Sequence, residues 1–143
     1  MKPTIQLDIV SLEANIFSGP VEMVVVTSVL GELGILPGHA PLLTQLSSGQ
    51  IRLILPPDQH DAYYITGGLL EVQADAVTIL ADTAAHAADL DEAAAIAARE
   101  NAKRALATQK TKTDYTNALI QISQATAKLR AINFARKGSK KGR

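Results

Sequence analysis

The sequence predicts an α+β chain in two parts: an N-terminal all-β sandwich of about ten short strands, then a C-terminal antiparallel two-helix hairpin. Three observations carry this. Short apolar runs separated by turn residues fill the first 87 residues, an alanine-rich helical pattern fills the remainder, and the net charge reverses between them.

The strands come first. Ile5, Leu7 and Ile9 alternate with Gln6 and Asp8, the period of a strand with one buried face. Ala14 to Phe17 follows and is closed by Ser18-Gly19-Pro20. Val21 to Val26 is dense in β-branched residues, as an interior strand requires. Leu42 to Leu46, Ile51 to Leu55, Tyr63 to Thr66, Leu69 to Val72 and Val77 to Leu80 complete the runs. Gly31, Gly34, Pro37-Gly38, Ser48-Gly49, Pro56-Pro57-Asp58 and Gly67-Gly68 supply turn signals between them. No strand is followed by a long helical segment, which argues against a parallel βαβ sheet.

At Asp89 the pattern changes. Asp89-Leu90-Asp91-Glu92 offers a capping residue with a glutamate three positions later, and the acidic charge suits a helix N-terminus. No Gly or Pro interrupts the chain from there to Gln109, and Ala95, Ala98, Ala102 and Ala105 share one side at helical spacing. Thr111 to Thr113 breaks the pattern. A second helix is expected from about Asp114 to Ala135, with Ala118, Ile122, Ala125, Leu129 and Ile132 as its stripe. The expected division is a sandwich over 1–87, a hairpin over 88–137 and a disordered basic tail over 138–143. Burying an alanine methyl contributes on the order of 1 kcal/mol, against roughly 2–3 for a leucine, so a hairpin held by alanines is marginal alone and able to open or re-dock.

Composition bounds the function. With 143 residues, 47% of them apolar, the chain buries a real core. It has no cysteine, which excludes disulfides and thiolate metal sites and suits a reducing compartment. The N-terminus has no signal-peptide pattern, and the longest apolar run, Val21 to Leu30, is too short to span a bilayer and contains Glu22. Membrane association is therefore expected only through a partner. The net charge of zero conceals an asymmetry. Met1 to Ala88 carries two basic residues against nine acidic ones, a net of −7, and Asp89 to Arg143 carries twelve against five, a net of +7. Two parts with different partners are implied.

No residue pattern argues for catalysis. There is no Gly-x-x-x-x-Gly-Lys-Ser/Thr loop, and neither Gly31-Glu32-Leu33-Gly34 nor Gly67-Gly68 opens a helix. His39, His60 and His86 lie far apart without metal-ligand spacing, so no metal site is expected. The carboxylates are scattered, and Ser47-Ser48-Gly49 lacks both a nucleophile elbow and a nearby base. Lys128, Arg130, Arg136 and Lys137 make the end of the second helix basic. They read either as cations suited to a helix C-terminus or as a surface for an acidic partner. A nucleic-acid adaptor is a competing reading, but Phe134 is the only aromatic in that segment, and single-strand binding wants a stacking series.

The N-terminal words then identify a relative. Leu7-Asp8-Ile9-Val10-Ser11, Phe17-Ser18-Gly19 and the long run from Gly31 through Pro37-Gly38-His39-Ala40-Pro41 to Thr44 resemble the epsilon subunit of bacterial F-type ATP synthases. So do Gly67 to Val72, Ala81-Asp82-Thr83-Ala84 and Asp89-Leu90-Asp91-Glu92-Ala93, and the resemblance runs in order over nearly the whole chain. It implies a non-catalytic rotor subunit of the central stalk, without a cofactor, peripheral on the cytoplasmic face of the bacterial inner membrane. The implied partners are the gamma subunit, the proton-translocating c-ring and the alpha and beta subunits of the catalytic head, with no nucleic acid. The sandwich would contact gamma and the c-ring loops, and Glu32, Gly34, Pro37, Gly38 and His39 match the part that faces those loops. The hairpin would exist docked or extended, and in the extended form Lys128, Arg130, Arg136 and Lys137 would meet the head and inhibit ATP hydrolysis. Some members bind ATP through a Leu/Ile-Asp-x-x-Arg-Ala motif. Here Asp91 is present, but Ala94 stands where that arginine would be and Ala85 where an upstream acidic residue would be, so ATP binding is expected to be weak or absent.

Overall fold

The computed structural model describes residues 2–108 and 111–141. Ten strands form the sandwich: β1 (Ile5–Val10), β2 (Asn15–Val21), β3 (Met23–Ser28), β4 (Gly31–Ile35), β5 (Leu42–Leu46), β6 (Gly49–Leu55), β7 (Gln59–Ile65), β8 (Gly68–Val72), β9 (Ala76–Ala81) and β10 (Ala84–His86). They follow the order β10-β7-β6-β3-β5-β8-β9-β1-β2, with β4 on the free side of β3. Strand β3 joins the layers, because Met23 to Val25 pair with β6 and Ser28 pairs with Leu46 of β5. One layer is thus β4-β3-β6-β7-β10 and the other β5-β8-β9-β1-β2. All neighbours are antiparallel except β1 and β9.

Alternation sets the core. Leu7 and Ile9 of β1, Val24 of β3, Ile51 and Leu53 of β6, and Ile79 of β9 are completely buried between the layers. Two strands escaped the sequence reading. Strand β4 pairs with β3 from Val24↔Ile35 to Ser28↔Gly31, and its two glycines hide it among turn signals. Strand β10, Ala84-Ala85-His86, has no β-branched residue to mark it.

Strand β7 departs from alternation: Ala62, Tyr63, Tyr64 and Ile65 are all buried. Both of its faces are covered. Tyr63 and Ile65 join the sandwich core, whereas Ala62 belongs to a second cluster with Ala87 and Ala131, flanked by Leu90, Phe134 and Ala135. The outer cover is helical. Helix α1 spans Glu92–Ala107 and α2 spans Lys112–Lys141. The Asp91 carboxylate accepts a hydrogen bond from Ala94 N at 3.0 Å and caps α1. The helix therefore starts later than the capping pattern at Asp89 suggested. Ala87–Asp89 form a short 3-10 turn, and Leu90 packs into the second cluster before the helix begins. Thr111 Oγ1 accepts from Asp114 N at 3.1 Å and caps α2.

The two helices pack as expected of a hairpin. Ala95 and Ala102 of α1 and Ala118, Ala125, Leu129 and Ile132 of α2 are buried, although Ala98 stays exposed. Helix α2 also carries on beyond its expected end near Ala135. The disordered tail expected from residue 138 onward is instead helical through Lys141, with residues 142–143 outside the described residues. The reason is tertiary. Gly138 is buried against β7, where an added methyl group would stand 2.3 Å from His60 Cβ and 2.5 Å from the His60 backbone nitrogen.

Gly138→Ala therefore separates local from tertiary preference. Alanine favours helix by about 1 kcal/mol over glycine, yet the substitution is expected to lift the last turn of α2 off His60. Amide exchange should quicken at 131–138 and not at 118–125. Unchanged exchange across both stretches would show that the close approach does not hold the helix.

Candidate interaction surfaces

The outer face of β6 and β7 is built from three cross-strand pairs, Gln50↔Tyr64, Arg52↔Ala62 and Ile54↔His60. Helix α2 lies along it, so that residues three or four apart on the helix meet successive rows of the sheet. Lys128 Nζ sits 5.1 Å from the centre of the Tyr64 ring. Ala131 packs in the cluster that holds Ala62. The Phe134 ring stacks on His60 at 4.5 Å with 15° between planes, and the Arg52 guanidinium lies 5.6 Å from the Phe134 centroid. Gly138 closes the series against His60.

Ion pairs do not hold this seam. Those among the described residues stay on one side of it. Arg52–Glu32 (2.6 Å) and the His86–Asp61 hydrogen bond (2.7 Å) lie within the sandwich, and Arg136–Glu92 ties α2 to the start of α1. What crosses the seam is small-residue packing, ring stacking and two cation–π contacts. The seam also buries polar groups without partners, namely Gln50 Oε1, Arg52 Nε and His60 Nδ1. A neutral polar group buried unpaired costs on the order of 1–3 kcal/mol, so docking is opposed where it is tightest. Beside it, burial first and then the Asp61 and Asp89 carboxylates raise the Tyr63 hydroxyl pKa above its ordinary value.

Of the four basic residues expected to meet a partner, two have a partner in this arrangement and two are exposed beside it. Lys128 covers Tyr64, Arg136 pairs with Glu92, and Arg130 and Lys137 border a cleft between α2 and β6. The N-terminal group is spread rather than gathered. Glu32 and Gly34 lie exposed on the edge strand β4, and Glu32 reaches back to Arg52. Pro37, Gly38 and His39 form a loop beyond the other end of β4. Gly38 has a φ of +87°, and the His39 ring Nδ1 donates to the Ala40 carbonyl at 2.7 Å. Sequence reasoning missed the exposed apolar residues that flank this strand. Leu30 is 88% exposed at the β3–β4 turn, and Val29 and Leu36 are exposed beside it and beyond β4. No cluster of potential metal ligands occurs among the described residues, and no helix among them is long and apolar enough to cross a membrane.

Comparison with known proteins fits this architecture. The family described as "ATP synthase, Delta/Epsilon chain, beta-sandwich domain" matches residues 4–87. Similar full-length proteins include the ATP synthase epsilon chain of Nitrosococcus oceani, 50% identical over 137 residues that make up 96% of this chain and 98% of that one. The ATP synthase epsilon chain of Legionella pneumophila is 53% identical over 140 residues, 98% of this chain and all of that one. This chain belongs to the ATP synthase epsilon-chain family. Among solved structures, a chain of the Euglena gracilis mitochondrial ATP synthase superposes with a TM-score of 0.77 at 22% identity, covering 92% of this chain and 84% of that one. A chain from the central stalk/c-ring structure of the Tetrahymena thermophila mitochondrial ATP synthase gives 0.56 at 13% identity, covering 92% of this chain and 98% of that one. These two comparisons establish the fold, and the curated relatives establish the family.

The unpaired groups make a measurable contribution to the seam. Gln50→Leu keeps the volume and removes one of them, so the docked hairpin is expected to gain about 1 kcal/mol, roughly fivefold in its docking equilibrium. Amide exchange between residues 128 and 138 should slow accordingly. Faster exchange would show that Gln50 supports docking instead.

Proposed function

We propose that this chain is a non-catalytic rotor subunit of a proton-translocating F-type ATP synthase, set in the central stalk at the cytoplasmic face of a bacterial inner membrane. The sandwich couples gamma and the c-ring, and the hairpin leaves its seam to reach the catalytic head and hinder ATP hydrolysis. The single observation that carries this is full-length identity of about half to chains named as ATP synthase epsilon subunits. The seam supplies the physical means, because alanine contacts and unpaired polar groups keep the docked hairpin near balance with its release.

On this reading the two parts, 1–87 and 88–137, do separate work. Glu32, Gly34, Pro37, Gly38 and His39 meet the c-ring loops, with the exposed Leu30 and Leu36 beside them offering apolar contact. Arg130, Arg136 and Lys137 are exposed already in the docked form, whereas Lys128 becomes free for the head only when α2 lifts away from Tyr64. Control by ATP at the start of α1 is weak in this chain. Ala94 offers no cation there, and Asp91 is occupied as the helix cap.

In a reconstituted complex, truncation after Ala88 should leave assembly with gamma intact and raise ATPase activity several-fold. Intact assembly with unchanged activity would remove the inhibitory role. His39→Ala should leave ATPase activity near normal and lower ATP-driven proton pumping in inverted vesicles. Equal pumping would take His39 out of the coupling surface.

A further inference from the structure

We propose that the cleft between β6 and the C-terminal part of α2 binds a small oxyanion of the phosphate class, and that the bound anion clamps the hairpin to the sandwich. The cleft has a volume of about 270 Å³ and is lined by Gln50, Arg52, Arg130, Asn133, Phe134 and Lys137. Three cations and two amides line it, and no carboxylate does among the described residues. The neighbouring cleft along the same seam, about 400 Å³, mixes Asp61 and Glu92 with His60, His86 and Arg136, and there Asp61 is hydrogen-bonded to His86 and Glu92 is paired with Arg136. Compensation in the smaller cleft is partial, because Glu32 takes one Arg52 Nη at 2.6 Å and Arg52 Nε has no partner. Gln50, only 8% exposed, also lines the wall with an unpaired side-chain oxygen. The positions of an amide O and N are interchangeable, so either end can be turned toward a ligand.

The chemistry selects the ligand. Guanidinium and ammonium groups around amide donors recognise phosphate-like oxyanions through charge-assisted hydrogen bonds. The volume lies below the roughly 300–1,000 Å³ of clefts that enclose drug-sized molecules, so it suits a phosphate with its water rather than a whole nucleotide. This cleft is separate from the groove between the two helices where Asp91 and Lys128 lie. Arg52 belongs to the sheet, whereas Arg130 and Lys137 belong to the helix, so the complete site exists only while the hairpin is docked. Without an anion, Arg130 and Lys137 of the helix repel Arg52 of the sheet, less the part of its charge that Glu32 offsets. A bound anion reverses that term, and by linkage any ligand of the docked form alone opposes release. The consequence for ATP hydrolysis rests on the proposed release of the hairpin, but binding itself does not.

The test titrates the full-length chain with inorganic phosphate in place of chloride at constant ionic strength. Phosphorus-31 NMR reads binding, and amide exchange at 128–138 reads docking. Saturable millimolar binding is expected, with slower exchange. Arg130→Gln and Lys137→Gln should each weaken binding roughly threefold to tenfold, and Lys112→Gln, at the far end of α2, should leave it unchanged. ATP that displaces phosphate from this cleft would support the same site with a nucleotide's phosphates as the source. No difference from chloride, binding indifferent to both substitutions, or binding without any change in exchange would overturn the proposal. Because the titration uses the isolated chain, loss of the truncation effect in the complex would count against the inhibitory switch and leave this site standing.

Discussion

Strands β6 and β7 have to be covered on both faces, and the rest of the molecule is arranged around that requirement. Their inner residues, Ile51, Leu53, Tyr63 and Ile65, fill the sandwich. Their outer residues include Ala62 and Tyr64, which water would meet if nothing lay over them. Covering that face is the work of α2, and α1 in turn covers α2 with Ala95 and Ala102. The hairpin is thus both an appendage and the lid of a sheet. Its leaving exposes one modest strip and leaves the main core intact, which is the condition for a movable part on a stable body.

The contacts chosen for the lid fit that condition. Alanine meets alanine at its centre, where Ala62, Ala87 and Ala131 are almost fully buried. Small side chains permit close approach but bring little apolar area out of water. The charge difference between the halves is not used to fasten them, since the ion pairs remain internal to each. Helix α2 therefore keeps Arg130 and Lys137 without a carboxylate from the sandwich. Cation–π contacts at Tyr64 and Phe134 supply direction at low strength, about 0.5–1 kcal/mol where solvent reaches them.

Much of this was legible before the structure. Alternation located β1, β-branched density located β3, and the stripe Ala118, Ile122, Ala125, Leu129 and Ile132 described the face of α2 that meets α1. What escaped was the second face of the same helix. Ala131, Phe134 and Gly138 are separated by three or four residues as well, but two are small and one is a glycine that ordinarily ends a helix. Gly138 packs closely against His60 on β7, and such long-range contacts leave no local trace in sequence. The run Ala62-Tyr63-Tyr64-Ile65 was the available clue, because a strand without alternation is covered on both sides. Among the surface residues, the motif located the β4 region. It could not show that Glu32 reaches across to Arg52, beneath the hairpin, while His39 lies beyond the other end of the strand.

The length of α2 has a mechanical meaning. Thirty residues of helix make a rod of about 45 Å, and its contacts with the sheet run from Lys128 to Gly138, so the first half projects as a lever. A sideways pull at the free end loads the Lys128–Tyr64 row first, then Ala131, then Phe134, and Gly138 last. Rows that break in sequence yield at the strength of one row, whereas sliding along the strands would have to break all of them together. The same seam is accordingly easy to peel and hard to shear, and the direction of a partner's pull decides whether the hairpin opens.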